Sequence, residues 1–245
     1  ILILGHKTKR KFFVLSLLSD LCSMKIQKSD WAKIITIGFI FFAGLIASYQ
    51  ILKPSPRLPI YNPADLDESL VDEEVQRKGR DHRVMNFSLV CQTGDTISQK
   101  NLENKIYVAD FFFTTCPGIC KDMAVQKRRL QEVFKNDDLI RLVSHSVTPE
   151  TDSVEVMQEY AEIQGAISGK WYLLTGDKPQ IYNLARKSYF AIQDQGGNGD
   201  EDDFIHTENF ILVDQKKRIR GFYDGTSEES VDQLIKDIAL LKEMD

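Results

Sequence analysis

Residues 111–120 read Phe-Phe-Phe-Thr-Thr-Cys-Pro-Gly-Ile-Cys and place two thiols, Cys116 and Cys120, directly after an apolar run. Proline suits the first position of a helix, so we predict a helix from Pro117 to Phe134. Cys116 then lies at the helix N-terminus, where free N–H groups and the helix dipole stabilise a thiolate. Cys116 is therefore expected to be the more nucleophilic of the two thiols.

The spacing of the two cysteines limits the chemistry they can perform. Residues four apart lie on one side of a helical turn, so the two sulfurs can chelate one metal ion or close a disulfide. His206 follows 86 positions after Cys120, in Phe-Ile-His-Thr-Glu-Asn. Two thiolates and an imidazole suit copper, as Cu(I) or, with a further ligand, as Cu(II). Zinc in such a site would lack a closed fourth ligand. We predict a copper site formed by Cys116, Cys120 and His206.

The other cysteines, histidines and thioethers are given structural roles. Four cysteines in 245 residues do not form a disulfide scaffold. Cys91 is expected to be a strand residue before a turn, and Met123 is expected to pack in the core. His145 is predicted to be structural, near the end of a strand. His82 is predicted to be exposed.

Strand-like and helix-like segments alternate after the thiol pair, and this alternation indicates a parallel sheet with helices on its faces. We predict an α/β fold with a mixed central sheet and an N-terminal hairpin extension that turns at Gly94. The predicted strands are 106–113, 139–147, 170–174, 209–213 and 218–223, the last two forming a closing hairpin. The predicted helices are 117–134, 153–164, 179–189 and 228–242.

Residues 34–52 form a 19-residue segment without a charge, about 28 Å long as a helix and long enough to span a bilayer. Lysines precede it at positions 25, 28 and 33, so the N-terminus is predicted to be cytoplasmic. A cleaved signal peptide is the alternative, but Ala-Ser-Tyr-Gln is a poor cleavage site. We predict a single-pass anchor with the domain on the periplasmic side of a bacterial inner membrane, a mitochondrial inner membrane being the second choice.

The predicted organisation has four parts: a leader or cytoplasmic segment over 1–33, a transmembrane anchor over 34–52, a linker over 53–79 and a single domain over 80–245. Four prolines within residues 54–63 favour an extended linker. Met24 is the first methionine and the predicted start, which would leave residues 1–23 untranslated. The competing interpretation of 1–23 is a basic organelle-targeting leader.

The two ends of the chain differ in net charge. Residues 54–245 carry 23 Lys and Arg against 34 Asp and Glu, a net charge of −11. An acidic domain of this kind is not expected to bind nucleic acid. We expect the domain to be monomeric and soluble, held to the membrane by the N-terminal helix. An acidic loop over 195–203 directly precedes His206.

Four segments resemble the SCO/SenC family of copper proteins, which are needed to assemble cytochrome c oxidase. They are FFFTTCPGIC, VTPETD at 147–152, KWYLLTGD at 170–177 and DFIHTENFILVD at 203–214. The resemblance covers residues 80–242. It implies a thioredoxin-like fold tethered by one N-terminal helix, with copper bound by Cys116, Cys120 and His206. It further implies copper delivery to the binuclear site of cytochrome c oxidase subunit II, or reduction of the cysteines of that site.

The chain departs from the family pattern beside the predicted ligands. The family commonly has CPDxCP, whereas Gly118 and Lys121 stand at the acidic and second proline positions here. Thr148 replaces the usual aspartate before Pro149, although Asp152 is retained. Groups around the ligands tune metal affinity and redox potential, so both are left open by these departures.

Three functions compete for the same residues. A metallochaperone binds and transfers copper by ligand exchange and is not an enzyme in the turnover sense. A membrane-anchored thiol–disulfide oxidoreductase would use Cys116 to attack and Cys120 to resolve, and it has no need of His206. A peroxidase with Cys116 as the peroxidatic thiol is disfavoured by the paired cysteines. The remote histidine and the CxxxC spacing favour the copper chaperone.

Overall fold

The computed structural model of the chain describes residues 28–53, 57–65, 81–191 and 207–244. The chain divides into two compact units, Ile1–Ser55 and Pro56–Asp245. The predictions made for residues 1–23, for the acidic loop 195–203 and for His206 lie outside the described residues.

The part of the first unit that the structure describes forms one long helix, α1 (Lys28–Leu52). Within Asp30–Leu52, an 18-residue window has a mean hydropathy of 2.0, and none of that window is buried. The helix is therefore long and apolar enough to cross a membrane, although a signal sequence near an N-terminus has the same properties.

The second unit is built on a seven-stranded mixed sheet. Its strands are β1 (Ser88–Cys91), β2 (Thr96–Ser98), β3 (Ile106–Phe112), β4 (Ile140–Ser146), β5 (Trp171–Thr175), β6 (Asn209–Val213) and β7 (Ile219–Asp224). The strand order is β2-β1-β5-β4-β3-β6-β7. Strands β3, β4 and β5 are parallel, as the alternation predicts, and both outer hairpins add antiparallel strands. The expected hairpin turn is present, with Gly94 at φ +84°, a backbone conformation that favours glycine.

Four α-helices of the described residues pack with the sheet: α2 (Ile119–Phe134), α3 (Val154–Gln164), α4 (Lys178–Asn183) and α5 (Glu228–Met244). Helices α2, α3 and α5 share a core cluster with one face of the sheet. The apolar face of α5 packs into this cluster: Val231, Leu234, Ile238 and Leu241 are buried and Ile235 is partly buried.

The predicted helix 179–189 is present over 178–188, but only α4 is α-helical, and the chain continues from it as a π-helix, Leu184–Ser188. Tertiary contacts at Ser188 accompany the wider turn. Its hydroxyl accepts a hydrogen bond from the Met85 N–H at 2.8 Å, and its carbonyl lies 2.8 Å from His82 Nε2. The prediction that His82 is exposed is wrong: it is half-buried, and its ring packs on Phe190 with 4.5 Å between centroids.

Residues 57–65, within the segment predicted as a linker, contact the edge of β7. Tyr61 forms an antiparallel bridge with Ile219. The Arg220 guanidinium donates to the carbonyls of Leu58 and Pro59, both at 2.8 Å, and to the Asp214 carboxylate. These contacts cover backbone groups that an edge strand would otherwise leave open to other chains.

Candidate metal centre

The thiol pair lies where β3 ends and α2 begins. Gly118 is the N-cap of α2, so the helix starts at Ile119 and the prediction that Pro117 takes the first helical position is wrong. A turn precedes the helix instead, in which the Cys116 N–H donates to the Phe113 carbonyl at 3.3 Å. Cys116 is thus a loop residue two positions before the cap, and Cys120 is the second residue of the helix.

Both thiols are free and buried, with 9% of Cys116 and 7% of Cys120 exposed. Burial alone would raise the pKa of Cys116, but the Cys120 side chain, the N–H groups of Cys120 and Gly118, and the charge of Lys121 together lower it. Burial and the neighbouring Cys116 raise the pKa of Cys120 to about 12. The lowered pKa agrees with the prediction that Cys116 is the more nucleophilic thiol, although the helix begins later than predicted. The N–H groups of Gly118 and Cys120 still stabilise its thiolate.

The pair can act as a two-sulfur chelate or as a dithiol that closes to a disulfide. The two side chains lie close enough for each to shift the pKa of the other. Soft thiolates prefer Cu(I) among biological metals, so this donor set fits copper. Within the ranges that the structure describes, no group of three His, Cys, Asp or Glu side chains is placed to hold a metal ion. The predicted third ligand, His206, lies outside those ranges.

The pairing of β6 with β3 places the start of β6 at the same end of the sheet as the thiols. Strand β6 is antiparallel to β3, with Tyr107 opposite Val213 and Ala109 opposite Ile211. The amino end of β6 therefore lies beside the carboxyl end of β3, from which the cysteine loop leaves. Thr207, which follows His206 in sequence, is buried and accepts a hydrogen bond from the Asn209 N–H at 3.1 Å.

A buried carboxylate, Asp152, holds the loop that precedes Cys116. It accepts hydrogen bonds from three hydroxyl groups, those of Thr114 at 2.5 Å, Ser146 at 2.5 Å and Thr148 at 3.0 Å. The Thr114 N–H adds a fourth contact at 3.4 Å. The family resemblance identified Asp152 only as a retained residue. Its partners come from two segments, the loop before Cys116 and the end of β4 with the residues after it.

Tyr160 of α3 packs beside the thiol pair. Its ring lies against Phe112, with 5.3 Å between centroids. Burial, followed by the negative charges of Cys120 and Cys116, raises the pKa of the Tyr160 phenol to about 12. A neutral phenol therefore borders the sulfurs at neutral pH. Nothing in the spacing of the sequence pointed to this residue.

A buried ion pair joins α2 to β3 and was also not predicted from the sequence. Lys127 of α2, 1% exposed, contacts the Asp110 carboxylate of β3 and the Ser144 hydroxyl of β4. Its ammonium lies 5.5 Å from the ring centroids of Trp171 and Phe210. Two signals were available: Asp110 is the one charge in the run 106–113, and Lys127 follows Cys120 by two helical turns on the buried face.

Cys91, Met123 and His145, which were predicted to be structural, all lie in the interior of the domain. Cys91 is a buried residue at the end of β1, and Met123 is buried in the core, as predicted. His145 is fully buried in β4 and stacks on Phe111 with 5.0 Å between centroids. Burial, with a contribution from the Lys127 charge, lowers the pKa of His145 to about 3.

Parallel β–α–β units, a dithiol where the central strand meets its helix, and antiparallel strands at both edges define a thioredoxin-like domain that carries a paired-thiol site. Comparison with known proteins gives the family within that class. The chain belongs to the SCO1/SenC family, whose model matches residues 75–243.

Relatives and solved structures agree with this assignment. A SCO1 protein homolog of Bacillus subtilis is 30% identical over 159 residues, which are 64% of this chain and 81% of the relative. The structure of BsSco, described as a member of the Sco family of cytochrome c oxidase assembly proteins with a disulfide switch, has a TM-score of 0.57 at 28% identity. It aligns over 67% of this chain and 96% of its own. Yeast Sco1, solved with copper bound, has the same fold, with a TM-score of 0.50 at 22% identity over 65% of this chain and 90% of its own.

Proposed function

We propose that this protein is a copper metallochaperone that binds copper through Cys116, Cys120 and His206 and delivers it to the binuclear copper site of cytochrome c oxidase subunit II. The observation that carries the proposal is the thiol pair, two free and buried cysteines that follow the carboxyl end of β3, one of them with a lowered pKa. Thiolates in this arrangement favour Cu(I).

Two further findings support the proposal. Strand β6 starts at the end of the sheet that carries the thiols, and His206 lies three residues before that strand in sequence. Yeast Sco1, a protein of the same fold, has been solved with copper bound. We further propose that α1 anchors the protein and that the domain works on the outer side of the membrane.

The test is titration of the full-length protein, in detergent and under reducing, anaerobic conditions, with Cu(I) in competition with a chromogenic chelator. We expect one copper per chain. Replacement of Cys116, Cys120 or His206 with alanine should lower the affinity by more than about 100-fold, since groups that merely support ligands are worth 10–100-fold.

Matched controls come from the same chain. Cys91→Ala removes a buried thiol in β1, and His82→Gln removes an imidazole but keeps a donor for the Ser188 carbonyl. Both should bind copper like the wild type. Unchanged affinity in His206→Ala would refute the three-ligand site. Failure of the copper-loaded protein to metallate the soluble domain of subunit II would refute the delivery step alone.

A second function is favoured by the difference between the two thiols. A thiol with a lowered pKa beside one whose pKa is about 12 is the arrangement of an attacking and a resolving cysteine. In such a reductase the Cys116 thiolate attacks a partner disulfide, and Cys120 then displaces the reduced partner. Disulfide reduction at the wild-type rate in His206→Ala would support this function, and a copper affinity unchanged in the same variant would favour it over the first.

A further inference from the structure

The carboxylate of Asp152 is enclosed by donors in a way that links three parts of the chain. The residue is fully buried, with 0% exposure. Its Oδ2 accepts from the hydroxyls of Ser146 and Thr148, and its Oδ1 accepts from the hydroxyl of Thr114. A buried acceptor with this many partners is costly to disturb, because each donor or acceptor left unpaired keeps its desolvation penalty.

The donors on one side belong to rigid structure. Ser146 ends β4 and pairs with Phe112 of β3 in the parallel register. The next residue, Val147, donates its N–H to the Phe112 carbonyl at 2.9 Å. Asp152 itself directly precedes the N-cap of α3, Ser153. The carboxylate is therefore fixed relative to the end of the sheet from which the cysteine loop departs.

The donor on the other side belongs to the cysteine loop. Thr114 lies two residues before Cys116 and contacts Asp152 through both its hydroxyl and its N–H. Cys120, by contrast, is held by α2. The position of one sulfur relative to the other thus depends on how the short loop from Phe113 to Cys116 is held.

We infer that Asp152 is the positioning residue of this site: by holding Thr114 it keeps the Cys116 sulfur beside the Cys120 sulfur before any metal arrives. The inference rests on the proposed copper site for its metal-binding consequence only. Its consequence for the dithiol is independent of copper. Preorganisation of this kind favours binding because the ordering of the loop no longer has to accompany capture.

Thr148 gains a role from the same network. The family resemblance places an aspartate at this position, whereas the threonine hydroxyl here donates to Asp152 at 3.0 Å. An ionised aspartate could not donate, and it would set a second negative charge against the first. Thr148, where the chain departs from the family pattern, therefore belongs to the hydrogen-bond network that holds the cysteine loop.

The inference predicts that metal chelation and disulfide closure weaken together, since both require adjacent sulfurs. The disulfide equilibrium is measured against dithiothreitol: the Cys116–Cys120 dithiol and oxidised dithiothreitol exchange two electrons and two protons to give the protein disulfide and reduced dithiothreitol. Thr114→Val in the full chain should lower the Cu(I) affinity about 10–100-fold. It should also lower the equilibrium constant for formation of the Cys116–Cys120 disulfide. Thr114→Ser, which keeps the hydroxyl, should keep both constants close to the wild-type values.

The control is Thr93→Val. Thr93 donates its hydroxyl to Asp95 at 2.7 Å in the β1–β2 turn, and the register places that turn at the opposite end of the sheet from Cys116. It should leave both constants unchanged. Thermal melting of every variant separates loss of fold from loss of positioning, and Thr148→Val, which removes one donor only, serves if Thr114→Val does not fold.

A double variant tests the path through Asp152. If Thr114 acts through the carboxylate, Thr114→Val combined with Asp152→Asn should weaken both constants no more than the stronger single change. Additive losses would overturn the inference, as would a Thr114→Val protein that melts lower yet keeps both constants. If the wild type binds no copper, the proposed function fails, and the disulfide equilibrium alone still decides the role of Asp152.

Discussion

Replacement of Lys127 by methionine should destabilise the domain strongly, because it leaves the Asp110 carboxylate buried without its cation. Lys127 is 1% exposed, its side-chain partner Asp110 is 4% exposed, and burial lowers the pKa of Lys127 well below its usual value. Breaking a buried ion pair by removing one partner costs about 3–5 kcal/mol. Methionine fills much of the volume of the lysine stem, so most of this cost comes from the charge rather than from a cavity.

Urea unfolding followed by tryptophan fluorescence measures the effect. The chain has two tryptophans, Trp31 and Trp171, and Trp171 is buried against the Lys127 ammonium. In a Trp31→Phe background, the emission therefore reports the unfolding of the sheet domain alone. We expect Lys127→Met to lower the free energy of unfolding by about 3–5 kcal/mol.

Two control variants separate the loss of the buried ion pair from other effects of removing a lysine. Lys135→Met removes an exposed pair with Glu132 at 2.5 Å, 44% and 70% exposed, and should cost at most about 1 kcal/mol. The double variant Lys127→Met, Asp110→Asn removes both charges and should recover at least about 2 kcal/mol, since a neutral pair avoids the uncompensated charge. A Lys127→Met protein no less stable than Lys135→Met would refute the reasoning.

Three further predictions follow from the site and its surroundings. At pH 7.5, iodoacetamide should label Cys116 before Cys120, since the pKa of Cys116 is lowered and that of Cys120 is raised to about 12; peptide mass mapping that finds Cys120 labelled first would contradict the assignment. Between pH 7 and 5 the protein should lose about 2 kcal/mol of stability through His145, because the unfolded imidazole takes up a proton near pH 6.5 and the folded one only near pH 3; His145→Asn should remove that part of the pH dependence of urea unfolding. Gly118→Asp should fold normally, since a Cβ there meets no atom within 4 Å, and it should slow the alkylation of Cys116 because an added anion disfavours the thiolate; an equal or faster rate would contradict this.

The architecture was predictable because hydrophobic periodicity reports burial directly. A continuous apolar run is typical of a central strand, and β3 is buried at every position from Ile106 to Phe112. The parallel order followed from the alternation of strands and helices. The start of α2 was not predictable to the residue, because proline suits a position before the cap as well as the first turn, and the turn from Phe113 to Cys116 decided between them.

By itself, the sequence determined the two thiols, the apolar anchor segment and the family motifs, since each depends on residue type and local spacing. The surroundings of the thiols were decided by the tertiary structure alone. Asp152 meets Thr114 across 38 positions and Lys127 meets Asp110 across 17, and only the packing of α2 and the β4–α3 turn onto the sheet brings them together. Burial makes these contacts strong, because a charge or hydroxyl removed from water has to find its partner within the protein.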